Sequence, residues 1–264
     1  MKLNTTLNYL NKHIPEKPHL AIILGSGLGG FSQNLQHSKT IPYCRLPNYP
    51  TSTVAGHKGE WIFGYIYDIP ILCASGRFHL YEGFNIKEVS ILVSSLQKLD
   101  CNKLIITNSS GCLNTHWNIG DFMFIDGYID YTFKFNKDKP KIIKINNSNK
   151  KFNNIHSIGK ELNINVRKGI YTWTLGPTYE TPAEVQDIIS LGGNAVGMST
   201  VPEIMKAIEY NMDITGLACL TNYGSGLENK KLLHSDVLKV SNHRNKMFSQ
   251  LLKKIIKINT HMDV

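Results

Sequence analysis

Leu20-Ala21-Ile22-Ile23-Leu24 runs directly into Gly25-Ser26-Gly27-Leu28-Gly29-Gly30. An apolar run this short, closed off by glycines, reads as a strand buried on both faces, and the glycines as a tight turn opening into a helix. Outward from this point the pattern repeats. Residues 61–67 and 70–75 are expected to be strands separated by a turn around Asp68. Lys103-Leu104-Ile105-Ile106-Thr107 is a strand ending in Asn108-Ser109-Ser110-Gly111. Further strands are predicted at 122–125, at 169–174, up to Gly197-Met198-Ser199, and at 214–220, ending at Thr221-Asn222. Helices are predicted at 3–12, 86–98, 154–162, 182–191 and 201–210, and over a tail at 236–258 with Val237, Val240, Met247, Leu251, Ile255 and Ile258 on one face. Strands alternating with helices make an α/β fold. No Pro-, Ser- or Gly-rich linker divides them, so the 264 residues are expected to form one domain.

Composition narrows the function classes. No apolar run approaches the ~18 residues needed to span a bilayer, and the N-terminus lacks an apolar signal core and a cleavage site. A soluble, cytoplasmic protein without a membrane partner is expected. Cys44, Cys73, Cys101, Cys112 and Cys219 are scattered and never spaced CxxC, which points to reduced thiols rather than disulfides or zinc. The formal net charge of +9 suits nucleic acid or small anions. Much of it lies in one Lys/Asn-rich stretch at 134–160 without the aromatic or finger patterns of nucleic-acid binders, so the expectation is a solvated face and no nucleic-acid partner.

The chemically unusual residues, Ser26, Arg77, Ser109, Glu180, Ser199 and Asn222, all fall at or just beyond predicted strand ends, where open α/β sheets bind ligands. Gly76-Arg77-Phe78-His79-Leu80-Tyr81-Glu82-Gly83 puts Arg77, His79 and Tyr81 on alternate positions. In extended backbone these share a face, with a guanidinium and an imidazole suited to a phosphate dianion and a phenol suited to a sugar; alone, the stretch could also be a solvated edge. The glycine loop literally matches G-x-G-x-x-G. However, the acidic residue that a dinucleotide site needs about twenty positions on is missing, since Glu60 is the first one after Gly30. The loop reads better as a backbone cradle for an anion, with Ser26 adding a hydroxyl. In Gly176-Pro177-Thr178-Tyr179-Glu180-Thr181-Pro182, Tyr179 can stack on a flat ring while Glu180 accepts from ring N–H groups; a plain helix cap is the alternative. Met198 is either core filler or ligand contact. Asn222 is costly to bury without partners and either binds a ligand or ties down a loop.

Taken together, GSGLG, AGHKGE, GRFHLYEG, TNSSG, GPTYETPAE, VGMSTVPE and TN…H, in this order from about Ala21 to the C-terminus, resemble the trimeric purine nucleoside phosphorylases specific for 6-oxopurines. The resemblance implies a three-layer domain with a central mixed sheet flanked by helices. It implies phosphate-dependent, reversible cleavage of inosine- or guanosine-type (deoxy)ribonucleosides in purine salvage, a homotrimer, and no metal or organic cofactor, phosphate being a co-substrate. By this similarity phosphate is held by Ser26, His57, Arg77, His79, Ser109 through its backbone amide, and Ser199. Tyr81 and Met198 meet the ribose and His234 its 5′-hydroxyl, with Val196 also lining the nucleoside site. Tyr179 packs on the base, Glu180 binds its N1 side, and Asn222 bonds O6 and N7, activating the leaving group. Asn222, His79 and Glu180 are thus the expected catalytic residues.

The chain also departs from that pattern. Ser109 stands where the family usually has Ala, which puts an extra hydroxyl near phosphate, and Tyr223 stands where some members have Lys. The segment between Asp121 and Gly169 is shortened. In the family that region lends an aromatic residue to the neighbouring subunit's site, for which Phe133, Phe135 and Phe152 are the candidates here. The run Gly120-Asp121-Phe122-Met123-Phe124-Ile125-Asp126 resembles methylthioadenosine phosphorylases, which carry Asp where Asn222 stands; that activity is the alternative.

Overall fold

The computed structural model describes residues 3–51, 58–135, 139–146, 148–229 and 233–261. The strands are β1 (Leu20–Leu24), β2 (Gln36–Pro42), β3 (Glu60–Ile66), β4 (Ile69–Ser75), β5 (Lys103–Cys112), β6 (Phe122–Asp130), β7 (Ile142–Lys144), β8 (Val166–Trp173), β9 (Ala195–Gly197) and β10 (Asp213–Tyr223). The α-helices are α1 (Leu3–His13), α2 (Ile86–Val89), α3 (Ile91–Lys98), α4 (Ser148–Glu161), α5 (Pro182–Ser190), α6 (Val201–Glu209) and α7 (His234–His261).

β1 is buried along its whole length because it has a parallel neighbour on each side, with Ala21 opposite Leu72 of β4 and Leu104 of β5. Its side chains alternate between two cores, as the pleat requires. Ala21 and Ile23 pack with Leu10 of α1, Leu92 and Leu96 of α3 and Ile204 of α6. Leu20, Ile22 and Leu24 pack with Ile155 and Ile158 of α4 and with Phe248, Leu251 and Ile255 of α7. Each large apolar side chain buried this way contributes about 1.5–3 kcal/mol. The result is the expected mixed sheet with helices on both faces.

The sheet does more than the alternation of elements foretold. β5, β10, β6, β8 and β9 close into a ring: β5–β10, β6–β8 and β8–β9 are parallel, whereas β10–β6 and β9–β5 are antiparallel. β1 pairs with β5 only as far as Ile106, while β10 follows β5 through Cys112. The second half of β5, beyond the predicted strand Lys103 to Thr107, is therefore strand that leaves β1 and enters the ring. On the other side, β3 and β4 form a hairpin around Tyr67 and Asp68, both at positive φ, as a two-residue hairpin turn of this type demands.

Several expectations are corrected. The glycine loop leads into a six-residue 3-10 turn, Gly29–Asn34, not an α-helix. Leu28 provides no side-chain cap, and Gly29 and Gly30 are poor helix formers. The chain then goes to β2, an exposed edge strand antiparallel to β3, so the crossover of a dinucleotide fold is absent here. The helix predicted at 86–98 is split at Ser90, whose hydroxyl bonds back to Ile86 O (2.8 Å).

Candidate active site

A cavity of about 340 Å³ opens where β5 parts from β1. Its lining includes Ser26, Arg77, His79, Ser109 and Ser199 of the predicted anion set, and Tyr81, Tyr179, Glu180, Val196, Met198 and Asn222 of the predicted nucleoside set. His57 lies outside the described residues, and so does the side chain of His234, whose backbone opens α7.

The part of the cavity lined by the predicted anion set is built on close approaches. Gly25 sits so near β5 that a Cβ there would come within 2.5 Å of Asn108 Cα, and its amide donates to Thr107 Oγ1 (3.0 Å). Any side chain at this position would push Ser26 away from β5. Arg77, just beyond β4 and only 1% exposed, donates from Nη1 to Ser199 Oγ (3.1 Å) and Thr200 Oγ1 (3.2 Å). Asn108 Nδ2 also donates to Thr200 Oγ1 (2.9 Å), and Ser110 Oγ donates to Asn108 Oδ1 (2.5 Å). Thr200 holds this network in an unusual conformation, φ +76 and ψ −48, with Val201 N bonded to Ser199 O (2.8 Å). This is a γ-turn, strained for a β-branched residue. Behind Arg77, in the first turn of α6, lies the buried carboxylate of Glu203; burial pushes its pKa up and Arg77 pulls it back.

His79 is positioned by Glu82. Glu82 Oε1 accepts from the backbone N–H of His79 (2.9 Å) and lies 2.9 Å from its Nδ1. A carboxylate can only accept, so Nδ1 carries the proton and Nε2 is the acceptor of the neutral ring. Burial lowers the imidazole pKa, a shift opposed by Glu82 and reinforced by Arg77. The ring stacks on Tyr81 at 4.7 Å between centroids, and burial pushes the Tyr81 phenol up to about 12, so it remains a hydrogen-bond donor.

Among the predicted nucleoside set, Glu180 is 9% exposed and accepts from Thr174 Oγ1 (2.7 Å); burial raises its pKa. Tyr179 is more exposed, at 36%. Asn222 owes its place to a β-bulge: Leu220 pairs with Ser110 and Asn222 with Gly111, leaving Thr221 as the extra residue. Such bulges re-aim a side chain. Thr221 Oγ1 lies 2.9 Å from Asn222 Oδ1, and Asn222 Nδ2 donates to Tyr223 O (3.0 Å). These contacts fix which end of the amide is which, leaving one N–H and one lone pair for a ligand.

The departures now have locations. The Ser109 hydroxyl donates to Ser26 O (2.7 Å) and lies 2.7 Å from Ser241 Oγ of α7, so it is engaged with protein atoms rather than being an additional anion donor. Tyr223 donates its phenol to Trp117 O (2.7 Å), pinning the end of β10. Phe152, on α4, is partly buried and packs against Phe124 at the edge of the core beneath that helix. Phe133 is 63% exposed, and Phe135, 43% exposed, stacks on Trp173 at 5.6 Å. Sequence reasoning missed Glu82, Asn108, Thr200, Glu203 and Thr221 as supporting residues. The only available signal was that each lies within or beside a motif already singled out.

Residues 19–257 match the family model described as the phosphorylase superfamily. Purine nucleoside phosphorylase 1 of Bacillus subtilis (strain 168) is 33% identical, covering 94% of this chain and 95% of its own length. The purine nucleoside phosphorylase of Rattus norvegicus is also 33% identical, over 82% of this chain and 80% of its own. Among solved structures, the Schistosoma mansoni purine nucleoside phosphorylase in complex with adenosine superimposes with a TM-score of 0.85 at 26% identity, covering 96% of this chain and 95% of that one. Isoform 2 from the same organism, in complex with cytosine and ribose-1-phosphate, gives 0.86 at 30% identity over 96% and 94%.

Proposed function

The chain belongs to the phosphorylase superfamily, and from that premise we propose that it is a purine nucleoside phosphorylase. It transfers a pentosyl group reversibly from a purine base to inorganic phosphate, releasing free base and (deoxy)ribose 1-phosphate. The observation that carries this reading is one cavity lined both by the buried cation Arg77 with Ser26, His79 and Ser199, and by Glu180 and Asn222.

In the mechanism that follows, Arg77, Ser26 and Ser199 hold the dianion, each charge-assisted hydrogen bond contributing about 1.5–3 kcal/mol. The His79 ring, its Nδ1 proton held by Glu82, accepts from the proton of hydrogen phosphate. Tyr81 supports the sugar as the glycosidic bond stretches and positive charge grows at the anomeric carbon, next to the phosphate that will attack it. Negative charge grows on the departing purine. Asn222 gives its remaining N–H to N7 and O6, contacts that strengthen in the transition state, as catalysis requires, while Glu180 accepts from N1–H and Tyr179 covers the ring. An N1–H donor and an O6 acceptor select 6-oxopurines such as those of inosine and guanosine. The scheme uses no metal and no organic cofactor.

Phe133 and Phe135 are exposed aromatics in the shortened segment, and they support a homotrimer in which one of them closes the neighbouring subunit's cavity. No helix among the described residues is long and apolar enough to cross a membrane, in keeping with a cytoplasmic enzyme. The deciding experiment is a nucleoside panel with and without phosphate. Phosphate-dependent hypoxanthine release from inosine is expected; adenine release from methylthioadenosine with inosine untouched would replace the reading with its alternative.

A further inference from the structure

α7 packs on the glycine loop through one face. Gly27, at φ +73, lies so close that a Cβ there would come within 2.5 Å of Ser241 Cβ. Asn245, one turn further along α7, donates from Nδ2 to Gly27 O (2.8 Å). Ser241 is fully buried, and its Oγ sits 2.7 Å from Ser109 Oγ, which in turn sits 2.7 Å from Ser26 O. The proton positions in this chain follow from chemistry alone. A carbonyl oxygen only accepts, so the single Ser109 hydroxyl proton goes to Ser26 O, and the Ser241 hydroxyl must donate to Ser109 Oγ. Donor chains of this kind polarise each link in the same direction. Successive carbonyls of the glycine loop, Ser26 O and Gly27 O, are thus each held by a side-chain donor, one backed by α7 and the other supplied by it.

From this geometry we infer that Ser241 is a positioning residue for the phosphate half of the site, acting through the Ser109 hydroxyl on the Ser26 peptide. Ser26 lines the cavity and Ser241 does not, so Ser241 acts without touching phosphate. The inference rests on the proposed phosphorolysis, with the glycine loop holding phosphate.

The test measures KM for phosphate and for inosine separately in wild type, Ser241→Ala, Ser109→Ala and the double variant. It also measures the Kd of inorganic phosphate by calorimetry without nucleoside. Ser241→Ala is expected to raise the phosphate KM and Kd about five- to tenfold, the effect of one lost hydrogen bond, with the inosine KM within about twofold of wild type. In the Ser109→Ala background it should add nothing further, because the link it acts through is already gone. An unchanged phosphate Kd, an equal rise in the inosine KM, or full additivity with Ser109→Ala would each overturn the inference. Wild-type protein that binds phosphate but leaves every nucleoside intact would overturn the functional reading instead, while the calorimetric comparison still decides the role of Ser241.

Discussion

Arg77 Nε lies 3.3 Å from Glu203 Oε1, and both side chains are only 1% exposed. Arg77 Nε and Nη2 are not aligned for a hydrogen bond to the Glu203 carboxylate, so Glu203 acts on Arg77 through charge rather than bonding geometry. Buried charge left alone is costly.

Glu203→Gln should therefore lower the unfolding free energy by about 3–5 kcal/mol, the cost of breaking a buried pair from one side, as read by urea denaturation. Phosphate, which brings a counter-charge to Arg77, should stabilise the variant more than the wild type. Equal stabilisation of the two proteins by saturating phosphate would contradict the assigned role.

Asn222→Asp keeps the shape but replaces the amide N–H with a second acceptor. Asp also faces Tyr223 O where Asn222 donates. Inosine kcat/KM is expected to fall at least ~100-fold, as for loss of one donor to developing negative charge. The ratio of adenosine to inosine activity should rise, because a 6-amino group can donate to the new carboxylate. A parallel loss for both nucleosides would mean that Asn222 does not choose the base.

How much of this was legible beforehand depended on what each residue touches. β1 was readable because Ala21 and Ile23 face one core and Leu20, Ile22 and Leu24 the other, which forces an unbroken apolar run. β2 was not, because Gln36 through Thr40 are exposed on an edge and carry no alternation. The closed ring depends on β5 pairing with β10 about a hundred residues away, a match that no local pattern encodes. In the site, Arg77, His79 and Asn222 stood out because charge and amide groups at strand ends are chemically out of place. Glu203 and Ser241 did not. A carboxylate in the first turn of a helix and a serine within one are ordinary until the fold reveals their partners.

Glu180 gives the pH dependence. Burial raises its carboxyl above the ordinary value, and the ionised form accepts from N1–H more strongly than the protonated one. As pH falls through that raised value the carboxylate takes up a proton, so kcat/KM for inosine should decline on the acid side at a pH above the ordinary carboxylate range. Glu180→Gln cannot titrate. It should lower kcat/KM about 10- to 100-fold, the worth of one charge-assisted bond, and flatten that limb of the profile. An acid limb that survives unchanged in the variant belongs to another group, and His79, whose pKa is lowered by burial, is the one to substitute next.

Thr200 allows backbone strain to be separated from hydrogen bonding. At φ +76 it occupies a region that costs a non-glycine residue about 1–3 kcal/mol, while its hydroxyl accepts from both Arg77 and Asn108. Thr200→Ala removes the hydroxyl and keeps the strain; Thr200→Gly removes both. Elsewhere glycine is less stable than alanine by roughly 0.5–1 kcal/mol, but here the order should reverse, with Thr200→Gly more stable than Thr200→Ala by about 1 kcal/mol in denaturant unfolding. Both variants lose the acceptor that helps aim Arg77, so both should show a raised phosphate KM. Thr200→Ser, which keeps the hydroxyl, should restore it. If glycine proves the less stable of the two, the turn is not strained. If serine fails to restore phosphate binding, the network acts through the Thr200 methyl and not through its oxygen.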